Sequence, residues 1–270
     1  MRGRRPGAGG FTLIEVIVVI AVISILAAMA VPYAVKIVDQ SREEATKKEM
    51  EDLYSAIVGD PRIPTAGFVG DVGRLPANIA ELNLRTAGPL PFPPQGPPGG
   101  GLLGVKIGWY GPYVNAGFDP QGYTNDAWGT AYRYGVAPDL AGQLRSAGPD
   151  RAFGSADDLV SPPNAVISTG RLLVNLQVWD AVAGLYRLNP APAQVTAMGV
   201  TFYYSNNGSQ ANVSATIPVA PPYSFNGYHA GLHAVTGTCQ LVGSPAAATG
   251  QAVVYVPGNN QQAQVSLYLR

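Results

Sequence analysis

Three carboxylates fall close together in Ser146-Ala147-Gly148-Pro149-Asp150-Arg151-Ala152-Phe153-Gly154-Ser155-Ala156-Asp157-Asp158-Leu159, a stretch that also holds two glycines. Calcium takes about 6 to 8 oxygen ligands at roughly 2.3 to 2.6 Å, and a tight glycine-containing loop can offer carboxylates and main-chain carbonyls together. The spacing is not that of an EF-hand, so on spacing alone the stretch reads as a solvated acidic turn. A second group with chemistry is Glu15, the single ionisable residue between Phe11 and Val31. Ionised and unpartnered at the centre of a bilayer it would cost about 2.5 to 3.5 kcal/mol, so the residue implies a partner. His229 and His233 are spaced as a helical metal pair would be, with Cys239 nearby, but their context reads as one strand, where the side chains would stand about 13 Å apart. One zinc could not bridge them. No Gly-x-Ser-x-Gly, phosphate loop or dinucleotide fingerprint occurs, and the expectation is that the chain is not an enzyme.

Around these residues the elements follow from pattern. The run Phe11–Val31 is long enough, at about 1.5 Å per residue, to cross the roughly 30 Å apolar core of a membrane as a helix. Pro32 interrupts it, and Tyr33 and Lys36 fall where an interface would lie. Beyond Pro32 the helix becomes amphipathic, with Val38, Ala45, Met50, Leu53 and Ile57 expected on one face and the pairs Glu43–Lys47 and Glu44–Lys48 on another. Gly59 and Pro61 end it. A short helix is expected over Pro76–Leu82, then a loop dominated by Pro and Gly from Gly88 to Gly101. Ser161-Pro162-Pro163-Asn164 marks a boundary, after which Leu172, Val174, Leu176 and Val178 alternate on one face. Val200–Tyr204, Leu232–Leu241, Ala252–Val256 and Val265–Leu269 supply further strands between Asn-Gly, Pro-Gly and Gly-Ser turns, a pattern that predicts a β-sandwich. Tyr203, Tyr204, Tyr223, Phe225 and Tyr228, at strand spacing, are read as core and rim rather than as a ligand-stacking surface.

Composition bounds the rest. With 33 glycines and 24 prolines in 270 residues, turns and short strands are favoured beyond the helix, and a lone Cys239 excludes an intrachain disulfide. The formal charge is zero, but Arg2, Arg4 and Arg5 precede the apolar run. That asymmetry predicts that the carboxy-terminal bulk lies on the outer side of the membrane, and no basic footprint suggests nucleic acid as a partner.

The first fifteen residues, with an Arg-rich leader, Gly10 before Phe11 and Glu15 five positions into the chain beyond it, resemble the prepilin processing signal of type IV pilins and type II secretion pseudopilins. The resemblance implies cleavage after Gly10 by a prepilin peptidase, N-methylation of Phe11, and assembly of the following helix into a filament. The new amino group at Phe11 would then lie one turn from Glu15, or near the Glu15 of a neighbouring subunit, and supply its partner. Trp109-Tyr110-Gly111-Pro112-Tyr113, Asp126-Ala127-Trp128-Gly129 and Tyr132-Arg133-Tyr134-Gly135 resemble the major pseudopilin, whose usual Asp-Pro-Trp-Gly is here changed at Ala127. On that pattern Asp150 and Asp157 match calcium-ligating aspartates and Asp158 a third. Less closely, Val195–Val235 resembles a carboxypeptidase-regulatory, transthyretin-like sandwich.

The expectation is therefore an α+β chain. It comprises a cleaved leader (1–10), a pilin helix (11–58, spanning the membrane over 11–31), a globular pilin part whose antiparallel sheet is closed by the calcium loop (59–163), and a β-sandwich (164–270). As implied by the resemblance, it is a structural subunit of a type II secretion pseudopilus in the bacterial inner membrane. Its partners would be copies of itself and other pseudopilins, the prepilin peptidase, and the assembly platform with its ATPase. The alternative is a type IV pilin or minor pilin that displays the sandwich.

Overall fold

The computed structural model describes residues 12–59, 67–84, 105, 107–114, 122–135, 142–164, 166 and 168–270. Helix α1 runs unbroken from Leu13 to Val58 and passes Pro32 without ending. It starts at Thr12, whose hydroxyl accepts from the Glu15 amide while Glu15 accepts from the Thr12 amide. This reciprocal cap satisfies two amides that a helix start otherwise leaves free. The amino-terminal part presents its apolar side chains to the surroundings on every side. Farther on, Thr46, Met50, Leu53 and Ile57 form a buried stripe.

Met50, Leu53 and Ile57 lie on the face expected from the sequence, but Val38 and Ala45 do not join it. Val38 is 49% exposed and Ala45 is exposed too. At about 100° per residue, Ala45 lies about 100° from Thr46, and it is Thr46 that continues the row through Met50. A polar residue therefore occupies a position that an apolar count assigns to its neighbour. Among the expected pairs, Glu43 and Lys47 are joined.

Against this stripe pack helix α2 (Gly67–Val72), a short 3-10 turn (Ile79–Leu82) and a three-stranded antiparallel sheet of β1 (Arg133–Gly135), β2 (Gln143–Ser146) and β3 (Leu159–Ser161), in the order β1-β2-β3. Their core joins Met50, Leu53 and Ile57 to Phe68, Leu82 and Leu144. The helix expected over Pro76–Leu82 is shorter than its pattern suggests, because Asn78 caps the turn through its side chain and leaves Pro76 outside. The Gly88–Gly101 stretch lies outside the described residues.

The remaining strands are β4 (Thr169–Asp180), β5 (Leu185–Leu188), β6 (Val195–Asn206), β7 (Ser209–Thr216), β8 (Tyr223–His229), β9 (Gly231–Leu241), β10 (Ala248–Val256) and β11 (Gln262–Leu269). One sheet has the order β10-β9-β6-β7; the other is β11-β4-β5, with β8 also paired to β4. Leu172, Val174, Leu176 and Val178 of β4 face Phe202, Val235 and Val256 of the opposite sheet in a second core. Strand alternation puts every second residue of β4 there, as its sequence pattern requires. The sandwich departs from a purely antiparallel pattern at β11, which runs parallel to β4. Asn207 and Gly208, both at positive φ, make the two-residue turn between β6 and β7.

The first core draws on residues 50–144 and the second on residues 172–269, with no residue shared. A polar joint connects the two. Ser205 Oγ, buried, donates to the Asp71 carbonyl at 2.6 Å, and the Gly208 amide donates to the Val72 carbonyl at 2.7 Å. Gly73 fits at this joint because it has no side chain: a Cβ there would lie 2.0 Å from the Ser205 carbonyl oxygen.

Candidate assembly and ion-binding sites

Two places carry the chemistry expected from the sequence, one at each end of the pilin part. At the amino-terminal end, Glu15 Oε2 accepts from the Thr12 amide and from the Thr12 hydroxyl, each at 2.9 Å. Glu15 thus has a local partner, the helix start itself, in addition to whatever lies upstream. Gly10 and Phe11, the expected cleavage and methylation residues, lie outside the described residues.

The other site is built by the turn Asp126-Ala127-Trp128-Gly129, which clamps the carboxy-terminal half of α1. Trp128 Nε1 lies 3.4 Å from Asp39 Oδ1, the Tyr132 hydroxyl donates to Glu49 Oε2 at 2.8 Å, and the Ala127 amide donates to Thr46 Oγ1 at 3.2 Å. The last bond gives the Ala127 departure a consequence, since a proline in that position has no N–H to donate. Asp126, buried, organises the turn from within. Its Oδ1 accepts from the Trp128 and Thr130 amides at 3.0 and 2.8 Å, and its Oδ2 accepts from Ser146 Oγ at 2.6 Å. Ser146 Oγ in turn accepts from the Gly148 amide at 3.1 Å, so the hydrogen-bonded path runs from the helix clamp into the acidic loop.

That loop joins β2 to β3 and closes on its own carboxylates. Asp157 Oδ2 accepts from the Asp150 amide at 3.2 Å, Asp150 Oδ1 from the Ala152 amide at 2.8 Å, and Asp158 Oδ2 from the Gly154 amide at 2.8 Å. Gly148, at φ 65°, lets the chain turn against itself, since a Cβ there would lie 2.4 Å from the Asp157 carbonyl oxygen. The Ser155 hydroxyl foremost, with the Asp150 amide after it, holds the Asp157 carboxyl below its ordinary range, so it is ionised at neutral pH. Beside the loop, the Arg133 guanidinium lies 3.9 Å from the Phe153 ring centroid. Asp150, Asp157 and Asp158 are therefore brought into one loop as expected, and the donors are the hard oxygens that calcium prefers. They do not converge: among the described residues no three His, Cys, Asp or Glu side chains gather as a metal cluster.

The histidines are placed differently from the expectation. They do not share a strand: His229 ends β8 and His233 lies in β9, in opposite sheets, because Ala230 and Gly231 carry the chain across between them. His233 Nε2 is 2.8 Å from the His229 carbonyl oxygen, and His229 Nδ1 is 3.0 Å from Ser168 Oγ. Burial pushes the His233 imidazole down to about 4, so it is neutral at physiological pH. Of the aromatics read as core, Tyr203, Tyr223 and Phe225 are buried, and Phe202 packs against Phe225 and Tyr228 at ring separations of 5.4 and 4.8 Å.

Sequence reading missed Thr46, Glu49 and Asp71. The Tyr113 hydroxyl donates to Asp71 Oδ2 at 2.8 Å, and burial first, then the Asp71 charge, raises its pKa. These partners are separated by 42 to 83 residues, and no local spacing signals such a pair.

Comparison with known proteins finds a likeness at the amino terminus. Residues 5–31 match the prokaryotic N-terminal methylation motif, the prepilin-type signal, and α1 is long and apolar enough to cross a membrane. The chain is also similar to the type IV major pilin protein PilA of Myxococcus xanthus (strain DK1622), 31% identical over 106 residues that cover 34% of this chain and 48% of the relative. It thus spans about half the length of the curated relative it matches. No solved structure matches.

Proposed function

We propose that this protein is a structural subunit of a type IV pilin-class filament, made as a membrane precursor, cleaved after Gly10, methylated at Phe11 and assembled through α1. One observation supports this above others: the amino-terminal part of α1 is apolar and exposed all round, while its far half is clamped to a folded body. Such a surface has to be covered, first by lipid and then by the helices of neighbouring subunits. Glu15 sets the stagger between those helices, pairing with the amino group released at Phe11. The finer reading is a type II secretion pseudopilus reached through an inner-membrane assembly platform and its ATPase. It is supported by the Trp128-Gly129 clamp and by the position of Asp150, Asp157 and Asp158 between β2 and β3. Calcium would be held by these three residues once their carboxylates turned towards one ion, and it would fasten β2 to β3. A second reading, a type IV pilus subunit that displays the sandwich, is favoured by the similarity to a major pilin. Deleting the gene in its own host separates the two. Exported proteins retained in the periplasm with surface pili intact is the result expected for a pseudopilin. Loss of surface filaments with export unchanged favours the pilus, and no change in either overturns the proposal.

A further inference from the structure

We propose that Asn207 is a latent deamidation site, exposed to reaction when the joint between the two cores opens, and that its conversion keeps the joint from closing again. The sequence holds two Asn-Gly pairs, Asn207-Gly208 and Asn226-Gly227. In such a pair the glycine nitrogen can attack the preceding side-chain amide with no Cβ in the way. At Asn207 the Gly208 nitrogen gives its proton to a base in solution and forms a bond to Asn207 Cγ. The bond from Cγ to Nδ2 breaks, and ammonia leaves. Water then opens the five-membered imide at one of its two carbonyls, leaving aspartate or isoaspartate and one new negative charge. Nothing is oxidised or reduced.

In the closed molecule that nitrogen is occupied. Asn207 is exposed, so water and base reach its side chain. The Gly208 N–H, however, donates to the Val72 carbonyl at 2.7 Å across the joint. The bond keeps the proton on the nitrogen and aims the peptide plane at α2 instead of at Asn207 Cγ. Two neighbours hold the same closure: Ser205 Oγ donates to the Asp71 carbonyl at 2.6 Å, and Gly73 leaves room for the Ser205 carbonyl oxygen, which a Cβ would meet at 2.0 Å. Conversion at Asn207 therefore follows the population of molecules whose joint is open. Once it has happened, closure is opposed twice. Isoaspartate adds one atom to the backbone of a two-residue turn whose φ values of 49° and 76° suit the hairpin, and so displaces Gly208 from Val72. Either product also brings a carboxylate to a turn docked on Asp71 and Val72, and the Asp71 carboxylate, hydrogen-bonded by Tyr113, is already buried there. Asn226-Gly227 lies instead in β8 against β4, within the sandwich itself, so its conversion reports unfolding of the sandwich and not opening of the joint.

The inference concerns the joint alone and holds for either kind of filament, so its failure is distinguishable from failure of the assembly reading. The test is peptide mapping by mass spectrometry of the full chain in detergent, kept in mildly alkaline buffer either folded or in urea, for the wild type, Ser205→Ala and Gly73→Ala. The folded wild type is expected to convert Asn207 about tenfold or more slowly than the chain in urea. Ser205→Ala, which removes one buried hydrogen bond of the joint, should speed conversion at Asn207 about fivefold, and Gly73→Ala should speed it further, while Asn226 converts as in the wild type. Hydrogen exchange reads the second half of the proposal: the Gly208 amide should exchange slowly in the unconverted chain and fast in converted chain isolated by its added charge, after return to neutral pH. Conversion of Asn207 as fast in the folded wild type as in urea overturns the proposal. So does a rate that neither variant changes, equal acceleration of Asn207 and Asn226 in Ser205→Ala, or a converted chain that keeps its Gly208 amide protected.

Discussion

Asp126 shows how much one carboxylate can organise. It satisfies two amides of its own turn and the Ser146 hydroxyl, and through Ser146 it reaches the acidic loop. Asp126→Ala would leave three donors without an acceptor, two of them buried, at about 1 to 3 kcal/mol for each buried one before relaxation, so a loss on the order of 4 kcal/mol is expected from denaturant titration of the mature chain. His233 makes a prediction about acidity. Its folded pKa of about 4 lies below the ordinary 6.5, so its contribution is complete above pH 6.5 and is lost as the pH falls from 6.5 towards 4. The loss is on the order of 3 kcal/mol. Proton NMR of the ring should show His233 neutral down to about pH 4, and a midpoint near 6.5 would contradict its burial. At this scale Glu15, Trp128 and the three loop aspartates drew attention because each stands in a local motif. Thr46 was not, since its value comes from an amide 81 residues away. Thr46→Val, which keeps the shape and removes the acceptor, is expected to cost about 1 to 2 kcal/mol in thermal unfolding.

Helix α1 and the β2–β3 loop are the elements on which assembly and ion binding depend. The helix was legible from its apolar run and from Gly59, while the Thr12–Glu15 cap that starts it was not read from the sequence. Its buried face was legible at Met50, Leu53 and Ile57 but not one turn earlier, where hydrophobicity alone ranks Ala45 above the buried Thr46. The strands of the sandwich were legible from alternation, but the parallel pairing of β11 with β4 was not, since alternation fixes which face a residue takes and not which strand lies beside it. The loop is where calcium acts in the proposal. Binding to the folded state alone should add about 2.7 kcal/mol when calcium stands a hundredfold above its dissociation constant. Magnesium should substitute poorly, given its preference for octahedral geometry at about 2.0 to 2.1 Å. The melting temperature of the mature protein is expected to rise with calcium and to fall with chelator, and Asp157→Ala should abolish the response. A wild-type melting temperature indifferent to calcium reduces the loop to the acidic turn that its internal hydrogen bonds already make.

Over the whole molecule, two cores joined by a small polar contact suggest two folding units. Residues 164–270 are therefore expected to unfold cooperatively by themselves, and a fragment without a transition would make the sandwich an extension of the pilin part. The chain combines an apolar, exposed helix start with bodies that need no membrane, and this is the division of labour a filament subunit requires. Assembly in this proposal depends on the first residues of the mature protein. That dependence is measured by mass spectrometry of the protein purified from its host's membranes, paired with filament yield from Glu15→Leu. The expected result is an amino terminus at N-methylated Phe11, with Glu15→Leu inserted in the membrane but assembled poorly. A mature protein that begins elsewhere, or normal filament yield without Glu15, would contradict it.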